Sequence, residues 1–242
     1  MLRKLVTKAR NKASRVLLSE DGRKVLHDRL TYLTPQKLYR IERTARQVLR
    51  GGVAGDFLEM GVALGGSGIV LARIARSGGR RFCGYDVFGM IPEPTSNKDD
   101  EKSKNRYKVI ASGASDGIGG DPYYGYRTEL LDDVKNAFSR YKVPVDDRNV
   151  ILTKGLFGDT LPNYRGTIAY THVDCDWYDP VKLCLDFIAP KLSPGGMVVL
   201  DDYHDYGGAR LAVDEFLNTY SDLEFLDGPN VILRKRLKSP DC

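Results

Sequence analysis

From residue 56 onward the chain alternates between short runs rich in β-branched and aromatic residues and longer stretches of helical periodicity. This alternation limits the fold more than any other feature. Strand-like runs occur at DFLEM (56–60), RRFCGYDV (80–87), NVILT (149–153), IAYTHVD (168–174) and GMVVLDD (196–202). Helical patterns occupy most of the intervals, at 67–77, 127–141, 180–191 and 207–220. Strands that take turns with helices predict an α/β fold, a parallel sheet covered by helices on both faces. Upstream, Thr34-Pro35 offers an N-cap hydroxyl followed by proline at the first helical position, so a helix is expected to run to Arg50 before Gly51-Gly52 ends it. The last segment breaks the alternation. LEFL (223–226) and NVILRKR (230–236) flank Asp227-Gly228-Pro229, a turn short enough to allow only an antiparallel hairpin.

The length of 242 residues, 42% of them hydrophobic, is enough for one large domain with a sizeable core. Charge is unevenly spread. Residues 1–50 carry 14 Lys/Arg against 4 Asp/Glu, so the net +5 is a basic helical arm on an acidic body that spans 51–242. Such an arm reads as a solvated face or a homo-oligomer contact. It lacks the aromatic interleaving and recognised modules of a nucleic-acid binder. No apolar run is long enough to span a bilayer, and Lys and Arg interrupt the N-terminus too often for a signal-peptide core, so a cytoplasmic location is expected. Cys83, Cys175, Cys184 and Cys242 form no CxxC pair and are expected to be reduced and structural. Residues 89–126, rich in Gly, Ser and charge, make a connection too long for a compact domain unless it is functional or disordered. Its end, GIGGDPYYGY (117–126), has glycines for hinging and tyrosines for contact, which points to a lid.

Two groups of residues carry chemistry. In DFLEMGVALGGSGIVLARIAR a glycine turn lies between a strand and a helix, where small residues let a ligand approach the backbone and the helix N-terminus. Its spacing is not that of a dinucleotide GxGxxG. Glu59 at the strand end would repel a pyrophosphate but would suit a cationic amino-acid cofactor. Asp86 ends the next strand, where a carboxylate can accept ribose hydroxyls; a helix cap or a solvated loop residue would look the same in sequence.

The second group is HVDCDWYDP (172–180) with GGMVVLDDYHDYGG (195–208). If the two strands are neighbours, Asp174 and Asp201 converge on one edge with Asp202 beside them. Three carboxylates at a cleft repel one another unless protonated or neutralised by a cation. Hard oxygen ligands suit Mg²⁺ or Mn²⁺. Helix capping would account for Asp202 but not for the separate Asp174 and Asp176. Asp176, two residues beyond Asp174, is the candidate general base. His172 and His204 lie close to these motifs as further candidates, although a lone strand histidine is more often buried and hydrogen-bonded than catalytic.

The residues FLEMGVALGGS, YDVFG, KGLFGDTLP (154–162), HVDCDWYDP and LSPGGMVVLDDYHDYGGARLAVDEF (192–216) together resemble the macrocin O-methyltransferase family, metal-dependent enzymes that methylate sugar hydroxyls on antibiotics and other glycosides. The resemblance covers roughly residues 34–216. It implies a Rossmann-like class I methyltransferase fold closed by the C-terminal hairpin, with S-adenosylmethionine as cofactor. It also implies Asp174, Asp201 and Asp202 as metal ligands, Asp176 as base, and Glu59, Gly61, Ser67 and Asp86 in the cofactor site. Val87 replaces the family's usual serine, and the 89–126 segment is where acceptor specificity is expected.

Rival readings keep the fold and change the task. A catechol or other phenolic diol could chelate the same cation as a sugar. A non-catalytic interaction protein would use the basic arm, but the acidic residues at all four key positions are intact. A nicotinamide oxidoreductase is disfavoured by the glycine spacing and by the hairpin.

Overall fold

A computed structural model describes residues 2–237. In chain order the elements begin with three helices, α1 (Leu2–Leu17), α2 (Glu20–His27) and α3 (Pro35–Arg50). The alternating part follows as β1 (Asp56–Met60), α4 (Gly66–Ser77), β2 (Phe82–Asp86), α5 (Glu101–Ala111), α6 (Leu130–Arg140), β3 (Val150–Lys154) and the short α7 (Phe157–Thr160). It continues with β4 (Ile168–Val173), α8 (Tyr178–Ile188), β5 (Leu192–Leu200) and α9 (Gly207–Thr219), then the hairpin β6 (Leu223–Leu226) and β7 (Val231–Lys235). The seven strands form one sheet in the order β3-β2-β1-β4-β5-β7-β6. The first five are parallel, while β7 pairs antiparallel with both β5 and β6. This is the mostly parallel sheet expected from the alternation, closed by the hairpin expected from the turn at Asp227-Gly228-Pro229.

Strand periodicity distributes the core between the two faces. Met197 and Val199 join Phe57, Phe82 and Tyr170 beneath α2, α3, α4 and α6. Val198 and Leu200 join Leu58, Met60 and Val173 beneath α8 and α9. Leu38, Ile41, Ala45 and Val48 of α3 belong to the first of these layers, so the basic segment before residue 50 builds part of the core. The Thr34 side chain accepts from the Lys37 N–H and Pro35 opens α3, as the sequence implies. Among the described cysteines, Cys83, Cys175 and Cys184 are buried and free; Cys242 lies outside the described residues.

Residues 89–126 contain an element that the sequence reading did not include. Helix α5 is capped by Asp100, whose side chain accepts from the Ser103 N–H, and of its residues only Ser103 and Ile110 are buried. So little apolar periodicity hides a helix from a pattern search. The segment is also tied down at its base. Asp99 Oδ1 accepts the Tyr178 N–H at 2.9 Å, at the start of α8, and Asp100 Oδ2 accepts the Gly207 N–H at 2.8 Å, at the start of α9. A Cβ on Gly208 would fall 2.1 Å from Asp99 Oδ1, which explains a glycine at that helix start. Among the described residues no helix is long and apolar enough to cross a membrane.

Candidate active site and metal centre

Parallel pairing of β4 with β5 sets Val173 opposite Leu200, so Asp174 and Asp201 leave adjacent strands at the same edge. The Asp201 N–H donates to the Val173 carbonyl at 3.0 Å, which fixes the alignment one step beyond the strands. Asp202 follows, and one carboxylate oxygen from each of Asp174, Asp201 and Asp202 lies within 4.8 Å of the other two. From the opposite side β1 holds the first member of the cluster. The Asp174 N–H donates to the Met60 carbonyl at 2.8 Å, and a Cβ on Gly61 would lie 1.8 Å from the Asp174 carbonyl oxygen. Only glycine, here at φ +92°, lets the chain pass that point.

Asp176 is held in an unusual backbone state. Its φ is +60°, and the Trp177 N–H donates back to the Cys175 carbonyl at 2.7 Å, closing a tight turn. Its own N–H donates to Asp202 Oδ2 at 2.9 Å. A left-handed aspartate costs on the order of 1–2 kcal/mol, a strain characteristic of functional sites. The turn brings the Asp176 carboxyl into the cavity that the acidic cluster also lines.

Burial and then repulsion from Asp201, Asp202 and Asp176 hold the Asp174 carboxyl well above the ordinary carboxylate range. Burial, followed by Asp176 and Asp201, does the same to Asp202. Asp176 is pushed up to about 7 by burial and by Asp201, with Arg106 and Lys37 acting in the opposite sense. Lys37 Nζ donates to Asp201 Oδ2 at 2.7 Å and to Asp205 Oδ2 at 2.8 Å, a partial neutralisation delivered from α3. Asp201 Oδ1 is buried with no hydrogen-bond donor. A set of hard oxygens, one of them buried and unsatisfied, fits a small divalent cation such as Mg²⁺ or Mn²⁺. Cys175 does not alter that choice, because burial keeps its thiol protonated well above the ordinary range.

The cavity has a volume of about 810 Å³ and is lined by Gly61, Ala63 and Asp86 as well as by the acidic cluster. Ile91, Arg106, Tyr123 and Tyr124, all from the 89–126 segment, form part of its wall. That volume lies in the upper range of ligand sites and has room for a cofactor and an acceptor together. Asp86 organises the glycine turn: its Oδ2 accepts the N–H groups of Val62 (2.7 Å) and Ala63 (2.9 Å), and its Oδ1 accepts that of Phe88 (2.6 Å). Burial raises its pKa, and the three backbone donors oppose the rise.

The family model described as Macrocin-O-methyltransferase (TylF) matches residues 2–117 and 124–235. The chain belongs to the macrocin O-methyltransferase family. It is 32% identical over 225 residues to the 8-demethyl-8-(2,3-dimethoxy-alpha-L-rhamnosyl)-tetracenomycin-C 4'-O-methyltransferase of Streptomyces olivaceus, covering 90% of this chain and 79% of that protein. It is 30% identical over 193 residues to the mycinamicin III 3''-O-methyltransferase of Micromonospora griseorubida, covering 76% and 68% respectively. The solved structure of the O-methyltransferase NovP shares the fold, with a TM-score of 0.71 at 24% identity over 85% of this chain and 82% of that one. As a member of the macrocin O-methyltransferase family the chain is an S-adenosylmethionine-dependent O-methyltransferase with a small-molecule acceptor.

Within this family member the sequence-derived residues divide into two groups. Asp174, Asp176, Asp201, Asp202, Gly61 and Asp86 line the one cavity. Glu59 and Ser67 are buried and do not line it. Glu59 projects to the α4 side of the sheet, where Oε1 meets His172 Nδ1 at 2.9 Å; Oε2 lies 2.6 Å from where a Cβ on Gly68 would sit. That accounts for His172, which is fully buried as a lone strand histidine commonly is. His204 Nε2 pairs with Asp227 Oδ1 at 3.0 Å in the β6–β7 turn, away from the cavity lining.

Sequence reasoning missed Lys37 and Arg106. A signal for Lys37 existed. A cation in the first turn of a helix opposes the macrodipole, and α3 has no acidic residue there to offset it, so a partner outside the helix was implied. Arg106 had no comparable signal, since it lies on a helix that pattern reading did not find.

Proposed function

We propose that this enzyme methylates a hydroxyl of a sugar or glycoside, using a divalent cation held by Asp174, Asp201 and Asp202. The observation that carries the proposal is the convergence of those three carboxylates within 4.8 Å in the cavity that Asp176 also lines. Relatives named for a rhamnosyl tetracenomycin and for mycinamicin III support a glycoside as the acceptor.

A sugar hydroxyl is a weak nucleophile at neutral pH. The cation, when bound, contributes charge that stabilises the acceptor oxygen as it loses its proton. Asp176, whose side chain lines the same cavity as the acidic cluster, takes that proton on its carboxylate. S-adenosylmethionine, when bound, would supply the methyl group to the acceptor oxygen and leave as S-adenosylhomocysteine. Gly61, Ala63 and Asp86 shape the cofactor end of the cavity, with Glu59 and Ser67 supporting the turn from behind. Trp177, whose Nε1–H donates to the Pro92 carbonyl at 2.9 Å, fastens the 89–126 segment over the acidic cluster and helps to exclude water.

The test is a screen of glycosides and catechols with S-adenosylmethionine and Mg²⁺, read by mass shift. A gain of one methyl on a glycoside, abolished by chelator and restored by Mg²⁺ or Mn²⁺, is the expected result. Methylation that proceeds at full rate in the chelated protein would refute the metal assignment. Methylation confined to catechols would refute the sugar.

A further inference from the structure

The cations in the cavity lining are Lys37, Lys102 and Arg106, and they differ in how far they are committed. Lys37 is spent on Asp201 and Asp205. Lys102 donates to the Asp205 carbonyl and lies 4.8 Å from the centre of the Tyr206 ring. Arg106 is half-buried, with its guanidinium carbon 5.8 Å from the centre of the Tyr123 ring. Among the described residues it makes no hydrogen bond and no ion pair. A guanidinium carries five N–H donors in a rigid planar fork that matches a carboxylate or phosphate. Half-buried in the cavity wall with its N–H groups uncommitted to the protein, Arg106 is free to take an anionic ligand there.

Its neighbours locate what it faces. Arg106 lines the same cavity as Asp176 and Tyr206, with its guanidinium over the Tyr123 ring. Lys102 precedes it by four residues on α5, so both cations share one helix face. We propose that Arg106, assisted by Lys102, binds an oxyanion carried by the acceptor, so that the acceptor is an acidic sugar bearing a carboxylate or phosphate. This rests on the sugar O-methyltransferase reading given above and adds the acceptor's charge to it. A second source of the same chemistry is the α-carboxylate of S-adenosylmethionine itself, and the experiment separates the two.

Protein loaded with Mg²⁺ and S-adenosylhomocysteine is titrated calorimetrically with matched sugars: methyl glucuronide against methyl glucoside, methyl galacturonide against methyl galactoside, and glucose 6-phosphate against glucose. In at least one pair the acidic member is expected to bind about 10–100-fold more tightly, the worth of a charged hydrogen-bonded pair. Arg106→Met should remove that advantage and Arg106→Lys should retain part of it, while the affinity for S-adenosylhomocysteine stays unchanged in both. Equal affinity within every pair, or an advantage that survives Arg106→Met, overturns the proposal. So does an Arg106→Met protein that loses affinity for S-adenosylhomocysteine while its sugar discrimination is intact; Arg106 then holds the cofactor. Turnover on the same sugars keeps the two readings apart. Methylation of neutral sugars only would sink the acidic acceptor and leave the sugar methyltransferase standing. Discriminating binding of acidic sugars that are never methylated would sink the reaction and leave the anion site.

Discussion

Replacing Gly61 with alanine separates a metal site built by backbone geometry from one that merely collects acidic side chains. The new Cβ would sit 1.8 Å from the Asp174 carbonyl oxygen, where real contacts stay beyond 3.0 Å, so about 1.2 Å of separation must open between β1 and the end of β4. Metal–ligand distances tolerate about 0.2 Å. A shift several times larger at the residue bearing one of the three carboxylates therefore removes Asp174 from the ligand set. The φ of +92° adds on the order of 1–2 kcal/mol of strain for a non-glycine residue. Weakening the Asp174 N–H to Met60 bond costs about 1 kcal/mol more. The fold should survive with a melting temperature lowered by roughly 4–12 °C, from about 2–4 °C per kcal/mol at this chain length. Calorimetric titration with Mg²⁺ should show affinity down by at least tenfold, whereas S-adenosylhomocysteine binding changes less. A Gly61→Ala protein that melts like the parent and binds Mg²⁺ equally well would refute the reasoning.

Three further outcomes are expected. Asp176→Asn should retain Mg²⁺ and S-adenosylhomocysteine binding while kcat falls by roughly 10²–10⁴; loss of Mg²⁺ binding instead would make Asp176 a ligand. Asp174, Asp176 and Asp202 ionise at higher pH in the folded state than in the unfolded one, so between about pH 4 and 7 the folded chain binds more protons and metal-free stability falls as pH rises. A cation relieves the repulsion, so the Mg²⁺-induced rise in melting temperature should be greater at pH 8 than at pH 5; a rise independent of pH would contradict the acidic cluster as its site. Asp86→Ala should weaken S-adenosylhomocysteine binding and cost roughly 1–3 kcal/mol in thermal unfolding, because the N–H groups of Val62, Ala63 and Phe88 lose their acceptor.

What the sequence discloses here depends on whether a residue's role is set along the strand or across the molecule. β1 and β6 have the same bounds in the structure as in the strand reading, because their apolar runs end against turn residues. Asp174 and Asp201 could be paired in advance since both end a strand, and two parallel neighbours leave the sheet at one edge. Glu59 occupies a comparable place along β1, yet the pleat turns its side chain to the α4 face, where it meets His172 in the adjacent strand. Strand β5 starts at Leu192, ahead of the expected 196, because Leu192 already pairs with Ile168; Ser193-Pro194-Gly195 then bulges out, with Gly195 at φ +79°, before Met197 resumes the pairing opposite Tyr170. Helix α5 lacks an apolar stripe, and with it Arg106 escaped notice. The first-turn position of Lys37 in α3 implies a partner outside the helix, but nothing local says that the partner is Asp201, 164 positions away.

The paired aspartates at 99 and 100 set a rule for anyone who would re-engineer acceptor choice by exchanging the segment over the cavity. Their side chains cap the first turns of α8 and α9, and each of those helices follows directly on a loop that bears part of the acidic cluster. A graft that replaced 89–126 wholesale would therefore loosen the two loops meant to remain untouched, and lost activity would be mistaken for a wrong acceptor. Exchanges that begin after Ser103, beyond its bonds to Asp100, keep the joint intact and still include Arg106, Tyr123 and Tyr124 of the cavity wall.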